Sequence, residues 1–142
     1  KMTENLQGIE YSRNVYFHDT DAGGVVYHGN YFRFCEEART AMFFKVFGMG
    51  LKEFDAQYGI SFVVSHVEAS YKRPIAYGSV VRVKSQIKEV AGVRIKYHHD
   101  IYVGEDLCSI VKIEVAAISS KTFRPSKMPV ELVEKYKQSF GI

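Results

Sequence analysis

One stretch of this chain predicts how the rest is organised: His18-Asp19-Thr20-Asp21-Ala22-Gly23-Gly24-Val25-Val26-Tyr27-His28-Gly29-Asn30-Tyr31. Two carboxylates, two adjacent glycines and a histidine lie here, between a strand-like run and a long helical run. Adjacent glycines adopt backbone angles closed to other residues and let the main chain approach a ligand closely. A helix that begins just after them presents unpaired N–H groups, which suit an anion or a developing oxyanion. A carboxylate facing a carbonyl polarised in this way is the minimum equipment for hydrolysing an acyl group.

The segments on either side of this stretch predict one strand followed by one long helix. Residues 11–17 are rich in strand formers. From His28 to about Phe47, apolar residues recur at three- and four-residue spacing and form one stripe: Tyr31, Phe34, Cys35, Ala38, Met42 and Val46. Further aromatic residues widen the apolar surface beyond this stripe. We therefore expect the helix to be enclosed by the rest of the fold.

The remaining chain predicts an antiparallel sheet. Residues 51–58 read as a short second helix and residues 60–71 as a strand. Three strands of alternating apolar and polar residues follow, separated by short glycine turns. A terminal helix is expected at about 129–140, after a core at about 11–128. We predict a single α+β domain over residues 1–142, with an antiparallel sheet wrapped around one long central helix. Its edge strands would need a partner subunit, which predicts a homo-oligomer.

Composition limits the class of protein. The chain has 142 residues and a net charge of +3, which is too modest to indicate a nucleic-acid partner. No apolar run reaches the roughly 20 residues that a membrane span needs. Residues 1–7 lack the apolar stretch of a signal peptide, so we expect a cytoplasmic protein. Cys35 and Cys108 are expected to be free buried thiols, as is usual in that compartment.

The stretch from Tyr16 to Tyr31 closely resembles the signature loop of the hotdog-fold acyl-CoA thioesterases. The similarity is strongest to the YbgC type within the 4-hydroxybenzoyl-CoA thioesterase family. It continues into the helix, where Glu36, Ala38 and Arg39 match a Glu-x-Ala-Arg segment of that subgroup. The order of elements is similar over residues 11–140. The motif is long and chemically dense, and is therefore more specific than a short glycine pattern.

The resemblance implies a reaction and the residues that perform it. Asp21 would be the catalytic carboxylate, as nucleophile or as general base. The backbone N–H near His28 would polarise the thioester carbonyl, and the His28 side chain would also belong to the active site. The hydroxybenzoyl-specific branch has a tyrosine followed by proline where this chain has His28-Gly29, which makes a 4-hydroxybenzoyl substrate unexpected. The family also implies back-to-back dimers, often tetramers, with active sites at the dimer interface, and the YbgC type is associated with acyl carrier protein.

We expect the acyl-CoA substrate to contact the loop, the start of the helix and nearby cations. The candidates are Gly24, Val25, Tyr27 and Tyr31, with Lys72 and Arg73 near the diphosphate and Arg94 and Lys121 as further cations. Neither a metal nor an organic cofactor is expected. His18, Asp19, Asp21 and His28 are possible metal ligands by type, but they lack the spacing of a tight ligand pair.

Several of these residues have a simpler interpretation. Asp21 before glycine commonly shapes a turn. Asp19 is better explained by local hydrogen bonds within the loop, and the His28 side chain could simply bond a neighbouring backbone group. Glu36 is a second candidate for the catalytic carboxylate, because another hotdog branch carries a glutamate on this helix.

The function predicted from the sequence is hydrolysis of acyl-CoA to the free acid and CoA. The alternative is a non-catalytic hotdog scaffold that binds acyl-CoA or acyl carrier protein. Asp21 argues against the scaffold, since a pure binding pocket has no evident need for a carboxylate facing a helix end.

Overall fold

The computed structural model describes residues 9–142. Eight main elements follow one another along this part of the chain: β1 (Ile9–Asn14), α1 (Asn30–Phe47), α2 (Leu51–Tyr58), β2 (Ile60–Tyr71), β3 (Val80–Ala91), β4 (Arg94–Val103), β5 (Asp106–Ser119) and α3 (Val130–Phe140). A single 3-10 turn, Phe17–Asp19, lies between β1 and α1. Among these residues, no helix is long and apolar enough to cross a membrane.

All five strands form one antiparallel sheet in the order β1-β3-β4-β5-β2. Strands β3, β4 and β5 form a meander in which Val83 lies opposite Ile101, and Ile101 lies opposite Ser109. Alternate residues of these strands are buried on the inner face, as the alternating sequence predicts. The predicted α+β class, with an antiparallel sheet around one central helix, is confirmed.

Helix α1 packs its predicted apolar stripe into the core. Its buried residues are Tyr31, Phe34, Cys35, Ala38, Met42 and Phe43. The expected enclosure is only partial within one chain, because Phe44 is 58% exposed and Thr40 and Ala41 are also exposed. The helix begins at Asn30, two residues later than predicted, and ends at Phe47; the next residue, Gly48, has a φ of 71°, a left-handed conformation that stops the helix.

The first strand differs from the prediction at both ends. It covers Ile9–Asn14 rather than 11–17, and residues 1–8 lie outside the described part of the chain. Val15 still donates its N–H to the Ser79 carbonyl, but Tyr16 turns its N–H to the Asp19 carboxylate at 2.8 Å. This side-chain acceptor replaces a strand neighbour, so the strand-like residues Tyr16 and Phe17 leave the sheet.

Strand β2 forms one edge of the sheet and pairs only with β5 among the described strands. Val63, Val64, Val67 and Tyr71 are 38–50% exposed along it. A long apolar edge with unpaired backbone groups is a surface that proteins usually cover. This edge fits the prediction of a homo-oligomer, which stays a prediction.

Candidate active site

Asp21 lies at the exposed tip of a small hairpin. Thr20 and Val26 form an antiparallel bridge, and the Asp21 N–H donates to the Val25 carbonyl at 2.9 Å. Within the hairpin, the Gly23 N–H donates to Asp21 Oδ1 at 2.9 Å. Gly24 has a φ of 80°, which favours glycine. This local bonding orients the Asp21 carboxylate, and the residue is exposed to solvent.

Asp19, two residues earlier, is fully buried and bound to two arginines. Arg13 Nη1 donates to Oδ2 at 2.7 Å, and Arg33 Nη2 donates to Oδ1 at 2.5 Å. We call Arg13, Asp19 and Arg33 the Asp19 cluster. Burial opposes ionisation, but the hydrogen bonds from Arg13, the Tyr16 N–H and Arg33 outweigh it and lower the pKa of Asp19. Asp19 thus bonds locally through the Tyr16 N–H, as expected, and it also joins β1 to α1, which no pattern in the sequence predicted.

The start of α1 carries two free hydrogen-bond donors. Asn30 and Tyr31 donate their N–H groups to the carbonyls of Tyr27 and His28. Within residues 9–142, the N–H groups of His28 and Gly29 donate to no protein acceptor. A Cβ on Gly29 would lie 2.7 Å from the Tyr27 ring, so a larger residue would force that ring to move. Two unpaired N–H groups at the positive end of a helix can stabilise an oxyanion.

A cavity of about 420 Å³ opens beside this helix start. It is lined by Val26, His28, Tyr31, Tyr71, Lys72, Arg73 and Pro74. The Tyr71 ring lies edge-on to His28 at 5.5 Å and to Tyr31 at 5.1 Å between centroids. Burial raises the pKa of both tyrosines, so their hydroxyl groups stay protonated at neutral pH. The cavity therefore combines an aromatic wall with two exposed cations.

The structure brings together four of the predicted site residues: His28, Tyr31, Lys72 and Arg73. Asp21, Gly24, Val25 and Tyr27 lie outside the lining of this cavity. Gly24 and Val25 pair instead with the segment that precedes β3: the Tyr77 N–H donates to the Gly24 carbonyl at 3.0 Å, and Val25 bridges Ala76. Tyr27 is 54% exposed and stacks on His28 at 4.8 Å. Their predicted contacts with substrate stay predictions.

The other two candidate cations lie away from the cavity. Arg94 is ion-paired with Glu114 on the outer face of the sheet. Lys121 is exposed in the turn that follows β5. Tyr71, by contrast, was missed as a site residue, because nothing in the sequence of a strand end indicates which helix it will face.

Glu36 lies in a second, larger groove of about 540 Å³ between α1 and β2. Its neighbours along the helix are Phe32, Arg33, Arg39 and Thr40, and the facing residues include Val64 and Val67. The groove does not include His28 or the start of the helix. Glu36 is therefore separated from the free N–H groups at the start of α1.

A buried serine–histidine pair lies elsewhere in the core. Ser85 Oγ and His99 Nδ1 are 2.7 Å apart, and Arg39 Nη1 lies 3.5 Å from His99 Nε2. Burial, reinforced by the positive charge of Arg39, lowers the pKa of His99 to about 3. Ser85 and His99 are both 0% exposed, so no substrate can reach the serine. The pair is part of the core.

Neither cysteine is placed for catalysis. Cys35 and Cys108 are free and buried. Burial raises the pKa of Cys35 to about 12 and also raises that of Cys108, so both remain thiols at neutral pH. In the described part of the chain, no group of three or more histidine, cysteine or acidic residues is placed to hold a metal ion.

Sequence relatives support the resemblance drawn from the loop. The chain is 39% identical to the acyl-CoA thioesterase YbgC of Helicobacter pylori over 88 residues, a match that spans 62% of each protein. It is 29% identical to the acyl-CoA thioester hydrolase YbgC of Escherichia coli O6:H1 over 129 residues, which cover 87% of this chain and 92% of that relative. The similarity to the YbgC type is thus confirmed.

Structural relatives confirm the hotdog fold. The crystal structure of a probable thioesterase from Bartonella henselae superposes with a TM-score of 0.80 at 29% identity, covering 86% of this chain and 99% of that one. The family model of the thioesterase-like superfamily matches residues 15–136 of this chain. These residues include the loop, the central helix and the whole meander. From these matches and the geometry of the loop, the chain belongs to the thioesterase-like superfamily.

Proposed function

We propose that the protein is an acyl-CoA thioesterase that uses Asp21 and the N-terminus of α1. The observation that carries this proposal is the pair of unpaired N–H groups at His28 and Gly29 beside the aromatic cavity. The similarity to YbgC-type thioesterases gives the reaction class. Lys72 and Arg73, both exposed at the cavity, supply positive charge for the diphosphate of CoA.

In this mechanism the thioester carbonyl oxygen accepts hydrogen bonds from the free N–H groups. These bonds strengthen as negative charge develops on the oxygen, and losing one such donor typically costs about 100- to 1000-fold in rate. Asp21 then either attacks the carbonyl carbon and expels the CoA thiolate, giving a mixed anhydride that water hydrolyses, or takes a proton from a water that attacks the carbonyl carbon, after which the C–S bond breaks and the thiolate leaves. In both routes the proton from water ends on the thiol. Both routes consume one water and release the free acid and the thiol of CoA.

We further propose that the site is completed by a second copy of the chain. Asp21 lies outside the lining of the cavity in a single subunit, while the groove between α1 and β2 is open and carries apolar side chains such as Val64 and Val67. The apolar edge of β2 offers backbone groups for pairing. A dimer or tetramer through these surfaces would cover Phe44 and Val67, which are exposed in one chain.

The substrate class follows from the start of the helix. Gly29 leaves no space for a residue with a Cβ unless Tyr27 moves, and the hydroxybenzoyl branch carries a proline at this position. We propose that aliphatic acyl-CoAs are hydrolysed with a larger kcat/KM than 4-hydroxybenzoyl-CoA. An acyl chain carried on acyl carrier protein is a second possible form of the same thioester. We propose the cytoplasm as the location, since both cysteines are buried and free.

The test is a hydrolysis panel of short, long and aromatic acyl-CoAs with the wild type and the Asp21→Asn variant. Asparagine keeps the size of the side chain and can still accept the Gly23 N–H, so the fold should be kept. Loss of the only reactive carboxylate should lower kcat by about 1000-fold or more. Glu134→Gln on α3, also an exposed carboxylate, is the matched control and should leave kcat unchanged.

The outcomes separate the candidate functions. Near wild-type turnover by Asp21→Asn would refute its catalytic role and make Glu36 the next residue to test. If the wild type binds acyl-CoA but hydrolyses no thioester of either carrier, the protein is a binding scaffold. A larger kcat/KM for the aromatic substrate would reverse the proposed ranking.

A further inference from the structure

The Asp19 cluster connects the two halves of the proposed active site. The Asp19 carboxylate binds Arg13 from β1 and Arg33 from α1. Its carbonyl oxygen accepts Asn30 Nδ2 at 2.8 Å and the Tyr27 N–H at 3.3 Å. Asp19 thus lies two positions before Asp21. It is also bonded to Tyr27 and Asn30, the residues that flank His28 and Gly29.

Much of the loop is held by polar contacts rather than by apolar packing. Phe17 is 74% exposed and Tyr27 is 54% exposed, while Asp21, Ala22 and Gly23 are all exposed. Val26 is the buried apolar residue of the hairpin. A buried carboxylate bound by two guanidinium groups is held in one position, because any displacement would leave buried charges unpaired. The cluster is therefore well suited to set the geometry of this exposed loop.

We propose that Asp19 is a positioning residue, which fixes the Asp21 carboxylate relative to the N–H groups of His28 and Gly29. This inference rests on the proposed function, since it assigns Asp19 an effect that passes through those groups. Asp19 does not contact the substrate in this scheme. Its side chain is 0% exposed and fully engaged by Arg13, Arg33 and the Tyr16 N–H.

Two variants and one control test the proposal. Asp19→Asn removes the charge that both arginines bind. Arg33→Gln is milder, because Arg33 is 38% exposed and Asp19 keeps Arg13. Glu37→Gln is the control: Glu37 binds Arg13 Nε and the Tyr11 hydroxyl, at 2.9 Å each, and neither bond involves the loop. This variant removes one partner of Arg13 but keeps the bonds between Asp19 and the loop.

The expected result is a loss in kcat with little change in KM. A displacement of about 1 Å in reacting groups can cost about 100-fold, so we expect kcat to fall about 10- to 100-fold in Asp19→Asn and less in Arg33→Gln. In an Asp21→Asn background the Asp19→Asn loss should largely disappear, which a general loss of stability would not produce. Amide hydrogen exchange should quicken at Gly23, Gly24 and Tyr27, with β4 unchanged. Glu37→Gln should show neither effect.

The exchange measurement keeps this inference separable from the proposed function. If the wild type hydrolyses no thioester, the proposed function fails and exchange in the loop alone decides whether Asp19 positions it. If Asp19→Asn does not fold, the loop exchange and kcat of Arg33→Gln decide whether the Asp19 cluster positions the loop. Unchanged loop exchange together with kcat within about twofold of wild type, in folded Asp19→Asn or Arg33→Gln, overturns the proposal.

Discussion

His99 gives the sharpest prediction about stability, because its ring is buried and neutral. In the folded protein the pKa of His99 is lowered to about 3, against 6.5 for the free side chain. The unfolded chain therefore takes up a proton at His99 as the pH falls below about 6.5, while the folded protein does not. Acid thus stabilises the unfolded state, and the stability that His99 contributes at neutral pH is lost progressively between pH 6.5 and pH 3.

The size of the effect follows from this difference. Each unit of difference in pKa corresponds to about 1.4 kcal/mol, so lowering the pH from 7.5 to 5 should reduce the free energy of unfolding by about 2 kcal/mol through His99 alone. The lowered pKa of Asp19 adds a loss of stability only at more acidic pH, as that carboxylate becomes protonated.

The assay is urea unfolding at several pH values, at one fixed protein concentration so that assembly does not vary. His99→Gln removes the titrating ring and keeps a polar group that can reach Ser85. It should be less stable at pH 7.5 and should lose most of the pH dependence between pH 7.5 and pH 5. The control is His98→Gln, since His98 is the neighbouring residue, faces outward and pairs with Asp100. This variant should keep the pH dependence of the wild type. An undiminished pH dependence in His99→Gln would refute the reasoning.

Three further predictions concern the cavity, the assembly and the core. Replacing Lys72 and Arg73 by glutamine should raise KM for acyl-CoA about 3- to 10-fold at low salt, and an unchanged KM would exclude both from the site. Light scattering should give a dimer or larger at micromolar concentration, shifted towards monomer by Val64→Lys with Val67→Lys; a monomeric wild type would contradict the composite site. Met42→Ala, at a fully buried position of α1, should lower the free energy of unfolding by about 2–5 kcal/mol, and a loss below about 1 kcal/mol would contradict tight packing there.

The sequence predicted best those elements in which a repeating pattern coincides with burial. Strand β4 alternates between Ile95, Tyr97 and His99 inside and Lys96 and His98 outside, so its faces could be assigned in advance. The stripe of α1 was predictable for the same reason. In both cases each residue's environment depends on its own position along a regular element rather than on a distant partner.

The predictions failed where a distant partner decides the structure. Asp19 looked like a loop residue because its partners Arg13 and Arg33 come from two different elements, and no periodicity indicates that they converge. The first strand was extended too far because local propensity at Tyr16 favours a strand, whereas the Asp19 carboxylate captures its N–H. The loop motif itself was recognisable, but the cavity wall formed by Tyr71 depends on how the sheet curves past the helix.

The pairing of β1 with β3 has a consequence for the order of folding. Strands β3, β4 and β5 are joined by short turns, whereas β1 must find β3 across about half of the chain and brings Arg13 with it. Contacts between sequence neighbours form at a lower entropic cost than such distant ones. Pulse-labelling during refolding should therefore protect β4 amides before the Tyr16 N–H, and simultaneous protection would contradict this order. Catalytic competence would then return only after most of the secondary structure has formed.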